Sequence, residues 1–468
     1  MRTTRAAIGL LLLSSPAAHA QSASRDALTV AVDSVFSRYT ASTPGCAVGV
    51  YRSGATVFAK GYGLANVEYD VPVTATTPFI VGSVSKQFTA AAIALLVEEK
   101  RIALTDDVRR YVPELPDHGT RITIDHLVHH TSGLRDWWEL VGLAGMRFDD
   151  TYTVQDVLDM TARQLGLNFT PGDRYLYSNT GYILLGVVVQ RVTGKSLREF
   201  AAERFFGPLG MKDSHYQDDH RQTVRARAYA YSPAVNGAYP IDVWNNDLVG
   251  QGGVMTTVLD LAKWDENFYT GTVGGAGFLA RQLQRGRLNS DSLLAYAFGL
   301  GVGNYRGQAI VEHTGSTGGY RAVITRFPAQ HTSIAVLCNI SNATPDVLAR
   351  RVADHVLGDT FLMPAPARPA FATPVAAQGP TVARIAMSPA DMARRAGTYY
   401  SPELDATYRL TVAGSALVLE RARNRPDSLT ARDPLTLTGT VGTLRFTEGN
   451  DGFLLSANRV ENMRFVRR

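Results

Sequence analysis

Lysine is scarce in this 468-residue chain: it occurs only at Lys60, Lys86, Lys100, Lys195, Lys212 and Lys263, whereas arginine is used freely. The formal net charge is +5, but the arginines are scattered and form no stripe with interleaved aromatics, so a nucleic-acid partner is not expected. Cysteine is scarcer still, with only Cys46 and Cys338, too few for a disulfide scaffold. Both lie in apolar strand-like runs, PGCAVGVYR and TSIAVLCNI; one disulfide in an oxidising compartment and two separate buried thiols both remain open. No later segment is long and apolar enough to cross a bilayer, so no integral membrane segment is expected.

What is present begins with a leader. MRTTRAAIGLLLLSSPAAHAQ sets Arg2 and Arg5 before an apolar core from Ala6 to Leu13, then Ala18-His19-Ala20 as a small-residue cleavage pattern. Residues 1–20 read as a signal peptide with no cysteine behind it to carry a lipid. The mature protein is expected to be soluble, and periplasmic or secreted. A hydrophobic fraction of 45% with 19% charge is ordinary globular composition, and the length predicts two unequal domains.

From about 26 to 360 strands and helices mix without a repeat. AVGVYRSG and ATVFAKGYG predict a hairpin turning near Ser53-Gly54. Helices are predicted over FIVGSVSKQFTAAAIALLVEEK (79–100), VQDVLDMTARQL, GYILLGVVVQRVTG with Gly194 as a stop, and TTVLDLAKWDENF. AIVEHTG, YRAVITRFP and SIAVLCNI read as consecutive antiparallel strands, followed by a closing helix between Pro345 and Gly358. Strands at both ends of the segment suggest one mixed sheet assembled from both ends. Residues 361–384, rich in proline and alanine, read as a linker; 385–468 shows short alternating runs between Gly, Asn and Asp turns, the pattern of a small all-β barrel or sandwich.

Ser83 precedes Lys86 by three in the buried-looking 79–100 run, so hydroxyl and amine face the same way. At the entrance of a buried helix, desolvation and the positive end of the dipole both favour a neutral amine able to take the serine proton. Arginine cannot do this, which gives a lysine in a lysine-poor chain its weight. Alone, the pair reads as a helix cap followed by a solvated lysine. Tyr177-Ser178-Asn179, before another helix, would alone be a cap, and His313-Thr314-Gly315, at a strand edge, would alone be a turn.

Together and in this order, the three clusters resemble the active site of the penicillin-recognising serine hydrolases: class C type β-lactamases, DD-carboxypeptidases, D-aminopeptidases and related esterases. LVHHTSGL, GPLGMKDS and GQGGVMTTVLDLAKW are similar to the surrounding family sequence. The resemblance covers roughly residues 26–360 and implies a β-lactamase/transpeptidase-like domain, an antiparallel sheet flanked by helices. It makes Ser83 the acylated nucleophile, Lys86 the group that helps remove its proton, and Tyr177 the second proton-transfer group. Asn179 would hold the substrate amide and position Lys86. His313, Thr314 and Gly315 would lie on the edge strand beside the substrate, with the amides of Ser316 and Ser83 as the oxyanion hole. The β-lactamases proper usually carry lysine where this chain has His313, so the pattern stands closer to the peptidases than to efficient β-lactamases. RRAGTYYSPELDATYRLTV resembles the opening of a lipocalin-like barrel found behind this domain in some members; the tail would then border the active site or an oligomer interface, or serve as a stability or spacer module.

The expectation is an exported enzyme working through an acyl-enzyme on a small-molecule or short-peptide substrate. Amide bonds of short or D-amino-acid-containing peptides are preferred; a carboxylesterase or weak β-lactamase is the alternative. A penicillin-binding sensor that acylates without turnover is disfavoured by Tyr177. No cofactor is called for. His126 and His130 stand four apart, but Leu127 occupies the place where a zinc-protease motif needs glutamate, so structural histidines are expected. Trp137 and Trp138 read as cleft or core aromatics. Oligomeric state is left open.

Overall fold

The computed structural model describes residues 16–234, 236–243, 245–364 and 385–468. The expected leader through residue 15, and the expected linker from residue 365 on, lie outside the described residues.

The hairpin forms as predicted, from β1 (Cys46–Arg52) and β2 (Ala55–Tyr62). Its turn residues Ser53 and Gly54 have φ of 48° and 78°, the left-handed pair that two-residue hairpin turns require. β3 (Gly301–Tyr305), β4 (Gln308–Thr317), β5 (Tyr320–Phe327) and β6 (Thr332–Cys338) come from the far end of the segment. The spatial order is β2-β1-β6-β5-β4-β3, so the sheet is assembled from both ends. Every pairing is antiparallel, as the resemblance implies, and the sheet is not mixed. Cys46 faces Cys338 across β1 and β6, and the two form a disulfide.

β1 and β6 are apolar on consecutive residues because both faces of the sheet are covered. On one face α1 (Pro16–Phe36) and α7 (Pro345–Leu357) bring Val32, Phe36, Leu348 and Val352 against Val48 and Val336. On the other lies a larger helical half built on α2 (Lys86–Glu98), in which every residue from Lys86 to Leu96 is buried. A helix apolar on all sides belongs in a core, and its sequence says so. The other predicted helices are α4 (Val154–Ala162), α5 (Asn179–Thr193) and α6 (Val258–Thr270). Gly194 ends α5 at φ 74°, the left-handed cap that a glycine supplies. The short α3 (Trp137–Leu143) was not predicted.

After α8 (Pro389–Arg395), eight strands close a barrel: β7 (Gly397–Ser401), β8 (Ala406–Ala413), β9 (Ala416–Arg421), β10 (Asp427–Ala431), β11 (Thr436–Gly439), β12 (Gly442–Phe446), β13 (Gly452–Ala457) and β14 (Val460–Arg467). Each pairs with the next, and β14 returns to β7, so the barrel leaves no open edge. Its interior, with Tyr399, Leu410, Leu419, Phe453 and Phe465, belongs to the same apolar cluster as Trp137, Leu140, Val141 and Leu143 of α3. Two hydrogen bonds fasten this contact: Tyr408 Oη donates to the Leu143 carbonyl at 2.6 Å and Arg421 to that of Gly142 at 2.7 Å. Beside it Arg135 and Glu403, both buried, form an ion pair, the condition under which buried charge is tolerated.

Candidate active site

Ser83 lies in a 3₁₀ turn, Gly82–Ser85, that runs straight into α2, and Lys86 is the first residue of that helix. Residues three apart nearly eclipse in a 3₁₀ turn, so the hydroxyl and the amine are stacked. Ser83 Oγ and Lys86 Nζ are 3.1 Å apart. The amine is also 2.9 Å from Asn179 Oδ1 and 2.7 Å from the Gln251 carbonyl. In the neutral amine those two oxygens accept its two protons, and the lone pair is left for the Ser83 hydroxyl. Burial of Lys86 holds its ammonium well below the usual lysine range; the Asp136 charge opposes this and the Arg459 charge adds to it.

Asn179 is placed by the start of α5, where Ser178 caps the helix by accepting from the Gly181 amide at 3.2 Å. Tyr177, one residue earlier, turns its ring to Lys86, with Nζ 4.7 Å from the centroid, and its hydroxyl to Ser83. Burial raises the Tyr177 phenol above the ordinary tyrosine range, so it holds its proton at neutral pH. The two groups beside Ser83 are thus driven apart, an amine toward its free base and a phenol toward its acid form.

β4 runs past its last partner in β3, the Gly301–Glu312 pair, to Thr317. β4 is therefore the second strand of the sheet and not the edge strand expected; among the described residues no strand pairs with residues 313–317 on the β3 side. Along this stretch Thr314 and Ser316 are exposed and His313 and Gly315 buried, the alternation of a strand. A Cβ on Gly315 would lie 3.0 Å from the Ser83 amide nitrogen, and one on Gly82 2.7 Å from that of Ser316. The two expected oxyanion donors therefore belong to backbones in direct contact.

His313 turns away from solvent. Its Nε2 accepts from Tyr296 Oη at 3.0 Å and its Nδ1 donates to the Thr314 carbonyl at 2.6 Å, an assignment that needs the neutral ring. Burial, helped by the Lys86 charge, pushes its pKa down to about 4. This position supplies no cation at neutral pH.

The cleft in front of Ser83 has a volume of about 520 Å³ and is lined by Tyr177, Asn179, Gln251, Ser316 and Thr317, with Trp138, Phe148, Asp242, Arg321 and Arg459. Trp138 stacks on Phe148 at a centroid distance of 4.2 Å, whereas Trp137 is fully buried and donates from Nε1 to Gln251 Oε1 at 2.9 Å. One tryptophan is cleft wall and the other holds the residue whose carbonyl faces Lys86. His126 Nδ1 accepts from the Thr123 amide at 3.2 Å in a capping box, and His130 Nδ1 from the Ser178 amide at 3.0 Å.

The residues expected at the active site thus gather around Ser83, His313 through its strand and not as a charge, whereas His126 serves a helix cap. Three were missed: Gln251, which acts through its carbonyl; Asp136, buried behind Asn179; and Arg459, from the barrel. GQGG, quoted above, contained the first without any hint of its part.

Residues 32–359 match the family described as Beta-lactamase. The chain is 28% identical over 324 residues to penicillin-binding protein 4* of Bacillus subtilis (strain 168), covering 65% of this chain and 70% of that one. It is 28% identical over 301 residues to a D-aminopeptidase of Gluconobacter oxydans (strain 621H), covering 64% of this chain. The match spans 56% of that D-aminopeptidase, less than two thirds of its length. Among solved structures, the octameric penicillin-binding protein homologue from Pyrococcus abyssi superposes with a TM-score of 0.62 at 23% identity, over 95% of this chain and 100% of that one. The D-amino acid amidase from Ochrobactrum anthropi SV3 gives 0.59 at 20% identity, over 72% and 99%. Both share the fold.

Proposed function

The chain belongs to the beta-lactamase family and is a serine hydrolase, and from that premise we propose that it cleaves amide bonds of short or D-amino-acid-containing peptides through an acyl-enzyme on Ser83. The observation that carries this reading is the buried Lys86 amine, within hydrogen-bond distance of Ser83 Oγ, Asn179 Oδ1 and the Gln251 carbonyl. In the mechanism Lys86 takes the serine proton as Ser83 attacks the carbonyl. The amides of Ser83 and Ser316 receive the oxyanion, and Tyr177 gives its proton to the departing amine and later helps deprotonate the hydrolytic water.

The D-amino-acid preference is supported by relatives named D-aminopeptidase and by the fold shared with the D-amino acid amidase. The neutral His313 favours a peptidase of the D-aminopeptidase or DD-carboxypeptidase type over a β-lactamase that needs a fixed cation beside the substrate. Export to the periplasm or beyond belongs to the same reading: the leader pattern supports it, and so does a disulfide, which persists in oxidising compartments.

The test is kcat/KM for matched D-aminoacyl amides, L-aminoacyl amides and simple esters. A D-amide preference supports the reading. Simple esters favoured by orders of magnitude would replace it with an esterase. Intact-protein mass after a fluorophosphonate and, separately, a penicillin, with Ser83→Ala alongside, checks the nucleophile independently of substrate.

A further inference from the structure

Asp136 is completely buried, and three parts of the molecule meet on it. Its Oδ1 accepts from the Trp138 amide at 3.2 Å and so caps α3. Its Oδ2 accepts from the Asn179 amide at 2.5 Å, and from Arg459 Nη1 at 3.2 Å. Arg459 stands in the turn between β13 and β14, after Asn458 at φ 43°, and belongs to the barrel. Its second nitrogen, Nη2, lies 3.3 Å from Glu139 Oε1. The turn is pinned as well: the Arg459 carbonyl accepts from Asn168 Nδ2 at 3.0 Å, and the Glu461 amide donates to Asn168 Oδ1 at 2.7 Å. A chain of contacts therefore runs from the barrel to the nucleophile: Arg459, Asp136, Asn179, Lys86, Ser83.

We propose that Arg459 is a positioning residue of the hydrolytic site: paired with Asp136, it holds the carboxylate that anchors Asn179 and keeps that negative charge from acting on Lys86. The barrel is then a working part of the site. The proposal rests on the assignment of Ser83 as nucleophile.

The electrostatic side follows from what surrounds Lys86. Tyr177 and Tyr182 present neutral rings at 4.7 and 5.4 Å from its nitrogen, and both phenols are raised by burial. His130 and His313 are held neutral, chiefly by burial. The charges that act on Lys86 are those of Asp136, which favours the ammonium, and Arg459, which opposes it. Burial raises the Asp136 carboxyl above the usual range, the Arg459 charge and the Asn179 amide act to keep it ionised, and Glu139 adds a second negative charge beside it. Without Arg459 the buried carboxylate stands uncompensated next to the base, and Lys86 takes up its proton at a higher pH than before.

The experiment uses the full chain and a probe that ignores substrate specificity: the rate of fluorophosphonate labelling of Ser83 from pH 5 to 9. Arg459→Met should slow labelling at pH 7 about tenfold and move the acidic limb of the profile up by about one unit. Arg459→Lys should restore most of the limb. Adding Asp136→Asn to Arg459→Met removes the charge itself, and should return the limb even if the absolute rate stays low. Slower labelling at every pH with the limb unmoved would overturn the proposal, leaving Arg459 a structural contact. So would full labelling in Arg459→Met with only KM for substrate raised, because Arg459 would then be a substrate contact. If Arg459→Met fails to fold, Asp136→Asn decides alone: with the Arg459 charge left unopposed the limb should move down, and a limb unmoved in that variant overturns the proposal. No labelling of the native protein would remove the nucleophile, and this proposal with it.

Discussion

Gly315 passes so close to Val81 that a Cβ built on it would sit 1.9 Å from the Val81 carbonyl oxygen. No side chain fits there, and the contact fixes the strand carrying the Ser316 amide against the turn carrying Ser83. Gly315→Ala should push the two apart. A displacement of about 1 Å at a catalytic donor costs roughly 10²-fold, so kcat/KM should fall by about that much while circular dichroism stays native. Full activity would mean that β4 can shift without disturbing the oxyanion donors.

Lys86→Arg keeps a positive charge but loses the ability to hold a lone pair at neutral pH. Fluorophosphonate labelling should fall by roughly 10³-fold or more in both Lys86→Arg and Lys86→Met. The two differ in stability. The folded state lowers the pKa of Lys86, so the unfolded chain binds more protons than the native one up to the unfolded value, and the native lysine depresses stability below that pH. Lys86→Met should therefore raise Tm at pH 7, by an increment that shrinks as the pH approaches about 10.5.

His313 has its pKa depressed to about 4 from an unfolded value near 6.5. The stability this represents, about 3 kcal/mol, is complete above pH 6.5 and is lost as the pH falls through 4. Urea midpoints for the native protein should fall relative to those for His313→Gln as the pH is lowered from 6.5 to 4, because only the native chain has a group whose unfolded form takes up a proton there. Activity, by contrast, should show no ionisation of this ring between pH 6 and 8.

Cys46 and Cys338 are buried and close a loop of 292 residues. The chain-entropy account puts the stabilisation at up to about 5 kcal/mol. Reduction should need denaturant, and Cys46→Ala with Cys338→Ala should lower the unfolding midpoint without altering fluorophosphonate labelling at low temperature. Thiol counting with and without denaturant checks the first part.

Glu403→Ala leaves Arg135 buried without its partner, a loss of about 3–5 kcal/mol by comparison with other broken buried pairs. The neighbouring Asp136 belongs to the same segment, so labelling of Ser83 should weaken together with barrel docking, which limited proteolysis near residue 385 would follow.

Much of this was legible in the chain itself, for physical reasons. The run after Lys86 and Gln87 is apolar on nearly every side because α2 is the core helix, and Gly194 and the Ser53-Gly54 turn sit where only certain backbone angles serve. Ser83, Lys86, Tyr177 and Asn179 could be named because their clusters, each ambiguous alone, together and in order resemble one family's active site. What could not be read depends on tertiary approach. Gln251 works through a carbonyl, which every residue has, and Arg459 meets Asp136 across more than 300 positions of sequence. That His313 departs from the fixed charge of a lysine was legible; that Tyr296 and the Thr314 carbonyl take up both its ring nitrogens was not. The strand order, too, follows from which pairs meet and not from any one run of residues.

The sheet that joins β1 to β6 has a consequence for how the chain comes to be folded. β1 is complete by residue 52, but its second neighbour begins at Thr332, so the first hairpin keeps an unpaired hydrophobic edge while nearly 300 further residues emerge. Contacts of such long range form slowly, because loop closure precedes any gain from pairing. The N-terminal hairpin is thus the part most exposed to wrong partners during biogenesis, and the arrival of Cys338 beside Cys46 marks the moment at which the domain closes.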